Sequence, residues 1–225
     1  MNFQDTQLIG VLARAESTVS SLSDLLGGLV EKFAARGYSL YLVGGSVRDA
    51  LLGRLGNDLD FTTPARPDVV KEILDEWAET VWDTGIDFGT VSAAYKGQQI
   101  EITTFRSDSY DGQSRNPEVV YGDTLEGDLV RRDFKVNAMA IELLADASFT
   151  FHDPLHGLQD VADRVLDTPD KPEISFHDDP LRMLRAARFA SQLEFRVADR
   201  VVDAMRDMAG EIQRITVERV QVELD

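Results

Sequence analysis

Apolar positions along this chain are spaced for helices near both ends and for strands in between. Leu25, Leu26, Leu29, Val30 and Phe33 lie three and four apart, which predicts an amphipathic helix over 22–36 that Gly37 ends. Residues 1–24 read as a polar, serine-containing N-terminal extension. "YSLYLV" predicts a buried strand, and 47–52 a short helix with Ser46 as its cap and Gly53 as its stop. "DLDFTT" predicts a second strand, and Pro67 opens a helix expected to run to about residue 80. "TVSAAY" and "IEITTF" flank "KGQQ" as a hairpin. Residues 107–127 read as loop, "LVRRDFKVNAMAIELL" as helix and "SFTFHDPLHG" as strand or turn; everything after Pro180 reads as helix. Mixed elements followed by helices predict an α+β chain in two domains, 25–150 and 151–225.

Composition narrows the class. The 225 residues are 43% hydrophobic, enough for a packed core rather than disorder. No apolar run approaches the length of a membrane span, and the N-terminus lacks the pattern of a secretory signal. Cysteine is absent, which removes disulfides and thiol chemistry and suits a reducing cytoplasm. The net charge of −17 argues against a nucleic-acid binder unless the basic groups are gathered on one surface.

The candidate chemistry begins at "GGSVRDALLGRLGNDLDF", 44–61. Side chains alternate along a strand, so Asp58 and Asp60 share a face. Carboxylates roughly 5 Å apart repel by about 1–3 kcal/mol at effective dielectric constants of 80 to 20, and a cation between them offsets this. Such a pair suits magnesium, which takes its remaining ligands from water and phosphate. Gly44 and Gly45 let a phosphate approach the backbone, Ser46 adds a hydroxyl, and the next helix presents its N-terminal amides. Alone, either the glycine pair or the aspartate pair reads as an ordinary turn or an edge strand. Together, with Arg48 and Asp49 between them, they read as a site for a triphosphate and divalent ions.

The same stretch resembles the signature of the DNA polymerase β-like nucleotidyltransferases. The longer string "LVGGSVRDALLG…NDLDFTT" is similar to the class II tRNA nucleotidyltransferases, or CCA-adding enzymes, and to the related bacterial poly(A) polymerases. The resemblance implies a nucleotidyltransferase head with a mixed sheet, followed by an all-helical neck. It implies that Asp58 and Asp60 bind catalytic Mg2+ and that Gly45 and Arg48 contact the nucleotide. Glu101, in "IEITTFR", reads equally as a third carboxylate and proton acceptor or as a surface residue of the hairpin.

"DLVRRDFKVNAMAI" resembles a second family motif. Arg131 and Arg132 suit phosphate or ribose, and Asp133 and Asn137, four apart on an expected helix, would brace the site. Lys135 stands where the family usually has Thr. "HDDPLRMLRAARFASQLEF" resembles the motif that serves as a protein template, with Asp179 and Arg182 as readers of the base edge and Arg185 and Arg188 nearby. Asp178 replaces the usual Glu. Asp179 before Pro180 reads equally as a helix cap, and the arginines at 182, 185 and 188 as a solvated stripe. His152–Asp153 and His177–Asp178 resemble metal-phosphohydrolase pairs only by coincidence.

The resemblance covers about residues 25–225, in a family usually twice as long, so a fragment of a longer protein is expected. The implied activity is addition of CMP and AMP from CTP and ATP to the tRNA 3′ end. The alternatives are poly(A) synthesis from ATP alone, or nucleotide binding without tRNA turnover.

Overall fold

The computed structural model describes residues 3–106 and 121–224, so most of the expected 107–127 loop lies outside the described residues. The chain opens with one long helix, α1 (Phe3–Ala35), not with a polar extension followed by a shorter helix. Val11, Ala15, Val19, Leu22, Leu26, Leu29 and Phe33 form one buried stripe at three- and four-residue spacing. In the polar run that hides this stripe, the hydroxyls bond back one turn, and the buried apolar stripe holds the helix. Thr18 donates to the Arg14 carbonyl (3.0 Å), Ser20 to that of Glu16 (2.9 Å) and Ser21 to that of Ser17 (3.2 Å).

Next come β1 (Leu40–Val43), α2 (Gly44–Leu51), β2 (Asp58–Thr63) and α3 (Pro67–Asp75). α2 starts at Gly44, so Ser46 lies inside its first turn and does not cap it. α3 stops at Asp75 and the chain re-enters the sheet as β3 (Thr80–Trp82), short of the helix expected to residue 80. β4 (Thr90–Tyr95) and β5 (Gln98–Thr104) form the expected hairpin across a two-residue turn, Lys96–Gly97, with both φ angles positive (47° and 78°).

"LVRRDFKVNAMAIELL" is not one helix. α4 (Leu125–Val130) ends before the arginines, a 3₁₀ turn covers Lys135–Asn137, and β6 (Ala140–Leu143) follows. Asp133 breaks the helix by accepting from the Phe134 amide (2.8 Å), and Ala140–Leu143 pairs in full register with β1. β7 (Phe149–His152) completes a seven-stranded sheet in the order β3-β4-β5-β2-β1-β6-β7, in which only β2 and β5 run parallel. Residue 150, the expected domain join, falls inside β7.

The remainder is α5 (Gly157–Asp163), β8 (Val165–Leu166), α6 (Pro172–Asp178), α7 (Leu181–Leu193), β9 (Arg196–Val197), α8 (Asp199–Asp207) and α9 (Val217–Leu224). It is helical apart from the two-residue parallel pairing of β8 with β9, so the all-helical expectation needs that small amendment. Phe189, Leu193 and Phe195 from this half join the same buried cluster as α1, α3 and the sheet. The two halves therefore share apolar surface as well as polar contacts.

α5 is held close to the Lys135–Asn137 turn. A Cβ on Gly157 would collide with the Lys135 carbonyl, so only glycine fits. Asp153 caps the helix by accepting from the amides of Gly157 (2.7 Å) and Leu158 (3.0 Å), and His152 faces Glu142, so His152–Asp153 is no metal pair. Asp160 Oδ2 is buried and has no hydrogen-bond partner among the described residues. Desolvation, with Asp167, Asp163 and Asp153 adding and Lys135 opposing, pushes its carboxyl up to about 6. A raised carboxyl pKa means that the ionised form costs stability above that pH, and that the cost fades as pH falls towards the unfolded value of about 3.9. Asp160→Asn is therefore expected to raise the thermal midpoint at pH 8, with the gain shrinking towards pH 4 in a melting series.

Candidate active site

The site is built where β2 and β5 run side by side. Along β2, Leu59 and Phe61 are buried while Asp58 and Asp60 share the opposite, open face. The parallel ladder sets Asp60 beside Glu101 and Asp58 beside Gln99. Burial pushes the Asp60 carboxyl up, Glu101 and Asp58 push it further, and Arg132 and Arg48 oppose the shift. Asp58, Asp60 and Glu101 thus form one electrostatic group.

The glycine turn sits against this group. Gly44 has φ of +67°, and a Cβ there would lie 2.9 Å from Arg132 Nη1 and 4.0 Å from Asp60 Oδ2. The Ser46 hydroxyl accepts from the Asp60 amide (2.9 Å) and donates to the Asp58 carbonyl (3.4 Å). Its polar capacity goes into fastening α2 to β2.

A cavity of about 330 Å³ opens beside Asp60. Eight of the expected residues line it or touch it: Asp60, Glu101, Arg131, Arg132, Asp133, Asp179, Arg182 and Arg185. Arg106, Thr103 and Arg219 line it as well and were not anticipated. Six of these liners are arginines against four carboxylates, so the wall is locally positive on a chain of net charge −17. A larger cavity, about 520 Å³, lies by Tyr41, Leu125 and His152, away from the carboxylates, and has no comparable chemistry.

Arg48 and Asn137 sit behind the cavity and connect to Asp133 and Arg185 in its wall. Arg48 is buried; its Nη1 donates to Asn137 Oδ1 (2.7 Å), and its Nε and Nη2 donate to Asp49 (3.0 and 2.9 Å). Asn137 donates in turn to Asp133 Oδ1 (3.0 Å), so these residues are braced together without a helix between them. Asp133 Oδ2 accepts from Arg185 Nε (2.8 Å). Burial alone would raise the Asp133 carboxyl, but Arg185 and the Asn137 and Phe134 hydrogen bonds hold it below its ordinary range.

The stripe at 182, 185 and 188 is not a solvated face. Arg182 donates to Ser175 Oγ (2.9 Å) and to the Arg131 carbonyl (2.7 Å). Arg188 Nε lies 2.7 Å from Glu223 Oε1, an ion pair that falls short of hydrogen-bond geometry. Arg185, Arg188 and Arg48 all lie over the Phe189 ring, at 5.1, 4.7 and 5.1 Å. Asp179 does cap α7, accepting from the Leu181 amide (3.2 Å), while its other oxygen accepts from Arg219 (2.9 Å). Arg219 and Glu223 come from α9, some 40 residues along the chain, and no local pattern pointed to them. Asp128 was also missed, although its spacing of three and four residues from Arg131 and Arg132 was a usable signal.

Among the described residues, no three acidic or histidine side chains converge closely enough to hold a metal alone. The donor set still fits a magnesium site, since such sites use one or two carboxylates and complete their shell with water and phosphate. The Asp60 carboxyl, desolvated and pushed further up by Glu101 and Asp58, is the kind of charge that a divalent cation relieves.

The mixed sheet, its adjacent carboxylates and the glycine turn define a DNA polymerase β-like nucleotidyltransferase head. The family described as "Poly A polymerase head domain" matches residues 40–167, more than half of the chain. The chain belongs to this family. It is similar to the CCA-adding enzymes of Lactobacillus helveticus (42% identical over 188 residues, 83% of this chain and 45% of the relative) and Listeria monocytogenes serovar 1/2a (39% over 196 residues, 87% and 48%). Among solved structures it is similar to the Bacillus stearothermophilus CCA-adding enzyme in complex with CTP (35% identical, TM-score 0.76, 90% of this chain and 47% of that one). It is also similar to a tRNA nucleotidyltransferase complexed with a primer tRNA and an incoming ATP analog (30% identical, TM-score 0.73, 87% and 54%). The chain spans about half the length of the curated relatives it matches. No helix among the described residues is long and apolar enough to cross a membrane.

Gly44→Ala combines a left-handed backbone, which costs a non-glycine residue roughly 1–2 kcal/mol, with a methyl group against Arg132 Nη1. The variant is expected to lose about that much stability in urea denaturation, whereas Gly56→Ala, where a Cβ meets nothing within 4 Å, is expected to lose less.

Proposed function

We propose that this chain carries the head and neck of a template-independent RNA nucleotidyltransferase that adds CMP and AMP, from CTP and ATP, to the 3′ end of tRNA in the cytoplasm. One observation carries the reading: Asp58, Asp60 and Glu101 share a sheet face, and Asp60 and Glu101 line an arginine-rich cavity beside the Gly44 turn. The chain's similarity to CCA-adding enzymes, and to solved structures of a CCA-adding enzyme with CTP and of a tRNA nucleotidyltransferase with primer tRNA, favours the same reading.

In this reaction the 3′ hydroxyl oxygen of the RNA bonds to the α-phosphorus of the triphosphate, and the bond to pyrophosphate breaks. Asp58 and Asp60 would hold magnesium, which when bound neutralises charge on the triphosphate. Arg131 and Arg132 bind the triphosphate, and their forked donors suit its oxygens. Glu101, beside Asp60, takes the proton released by the hydroxyl. Asp179 and Arg182 read the base edge: Asp accepts from an exocyclic amine, and Arg donates to ring and carbonyl acceptors. Arg182 is held by Ser175 and the Arg131 carbonyl, which fixes its fork before a base arrives. Asp133 and Arg185 complete the cavity wall, and Gly45, Ser46, Arg48, Asn137 and Arg188 support these groups from behind.

The test is incorporation of labelled CTP and ATP into tRNA lacking its terminal CCA. Asp58→Ala/Asp60→Ala is expected to abolish incorporation and keep the wild-type circular dichroism spectrum. Undiminished incorporation by the double variant would overturn the mechanism. Long A tails without C would identify a poly(A) polymerase, the activity for which the matching family is named. Nucleotide binding with no incorporation by the wild-type chain would assign it a binding role without turnover.

A further inference from the structure

We propose that Asp128, on α4, is the positioning residue that aims Arg131 and Arg132 at the triphosphate; this rests on the reading of the cavity given above. Its side chain is fully buried. Oδ1 accepts from Arg131 Nε (3.3 Å) and Nη2 (3.1 Å), and also from the Arg106 amide (3.3 Å). Oδ2 accepts from Arg132 Nη2 (2.9 Å). One carboxylate therefore fixes two consecutive arginines and the end of β5.

The local backbone allows this arrangement. Arg131, the C-cap of α4, keeps a right-handed helical conformation and the Arg132 amide bonds the Leu129 carbonyl (3.2 Å), so the last turn carries both side chains back towards Asp128. Both guanidiniums reach three and four residues to the same acid, and both line the cavity. Arg132 is then pinned between Asp128 behind and the Gly44 turn in front, where a Cβ would lie 2.9 Å from its Nη1. Its Nε is buried and has no hydrogen-bond partner among the described residues, a donor left over after Asp128 has taken its share.

The cavity wall gathers six arginines against four carboxylates, a net positive lining that suits an anion. Burial alone would raise the Asp128 carboxyl, but Arg132 and Arg131 outweigh it and hold the group below its ordinary range, so it stays ionised at neutral pH. Each oxygen of this acid holds a guanidinium that lines the cavity, with the Arg106 amide as a further donor to Oδ1, and charge-assisted forks of this kind set orientation as well as energy.

The experiment compares CTP with CMP, titrated calorimetrically onto the full chain in magnesium buffer. The wild type is expected to bind CTP more tightly than CMP. Asp128→Asn keeps the volume and one acceptor oxygen but loses the charge. It is expected to weaken CTP by about tenfold or more and to leave CMP within about twofold, because only the phosphate-facing arginines lose their aim. Adding Arg132→Gln to Asp128→Asn is expected to cost much less than Arg132→Gln alone, since the two changes act on one contact. Equal losses of CTP and CMP, or costs that simply add, would assign Asp128 to the fold and overturn the proposal. Should Asp128→Asn not fold, Asp128→Glu, which keeps the charge but displaces it by one methylene, is read in the same way, and failure of both to fold also overturns the positioning role. A wild type that binds neither CTP nor ATP would instead sink the reading of the cavity itself.

Discussion

Like charges set side by side in a sheet are the constraint around which this molecule is arranged. The parallel register of β2 and β5 leaves Asp60 next to Glu101, with Asp58 two residues away on the same face. Desolvation makes the ionised form of Asp60 harder to hold, and Glu101 and Asp58 add to the difficulty. A chain selected only for stability would have no reason to build this. Placing the group against a glycine turn and an arginine-lined cavity makes sense if positive charge and phosphate arrive together.

Around that group the arginines are almost all spoken for. Arg48 is tied to Asn137 and Asp49, Arg185 to Asp133 and Glu223, and Arg131 and Arg132 to Asp128. Buried acids thus hold the guanidiniums in fixed directions and leave selected donors facing the cavity. The connection from Asp49 through Arg48, Asn137, Asp133 and Arg185 to Glu223 runs from the sheet half into the last helix. Phe189, beneath three of these arginines, joins the polar network to the apolar core that the two halves share. The arrangement also answers the objection raised by the acidic composition, since the positive groups are gathered at one place.

The strands and the carboxylate face were legible because a period of two is unambiguous in "DLDFTT" and "IEITTF". Asp58 and Asp60 did share a face, and Glu101, which the sequence left open, was drawn to them by a strand pairing that no single sequence displays. The first half of α1 was obscured because its buried positions are small or widely spaced, while its serines and threonine satisfy themselves on the helix backbone. The segment around Arg131–Asn137 misled because its apolar pattern suits a helix, whereas the Asp133 side chain captures its own neighbour's amide and β1 captures Ala140–Leu143. Ser46 was expected to cap a helix, and instead lies inside its first turn and fastens that turn to β2. Arg219 and Glu223 were invisible for a simpler reason: a contact made across 40 residues leaves no mark in local spacing.

The account stands most directly on whether CTP binding to this chain depends on a divalent cation. Calorimetric titration of CTP with magnesium and then with excess chelator measures it. Tight binding with magnesium that is largely lost in chelator, and that an Asp60→Asn variant no longer distinguishes, is the expected result. CTP binding indifferent to magnesium in the wild type would contradict the claim that the shared carboxylate face exists to hold a cation against a triphosphate.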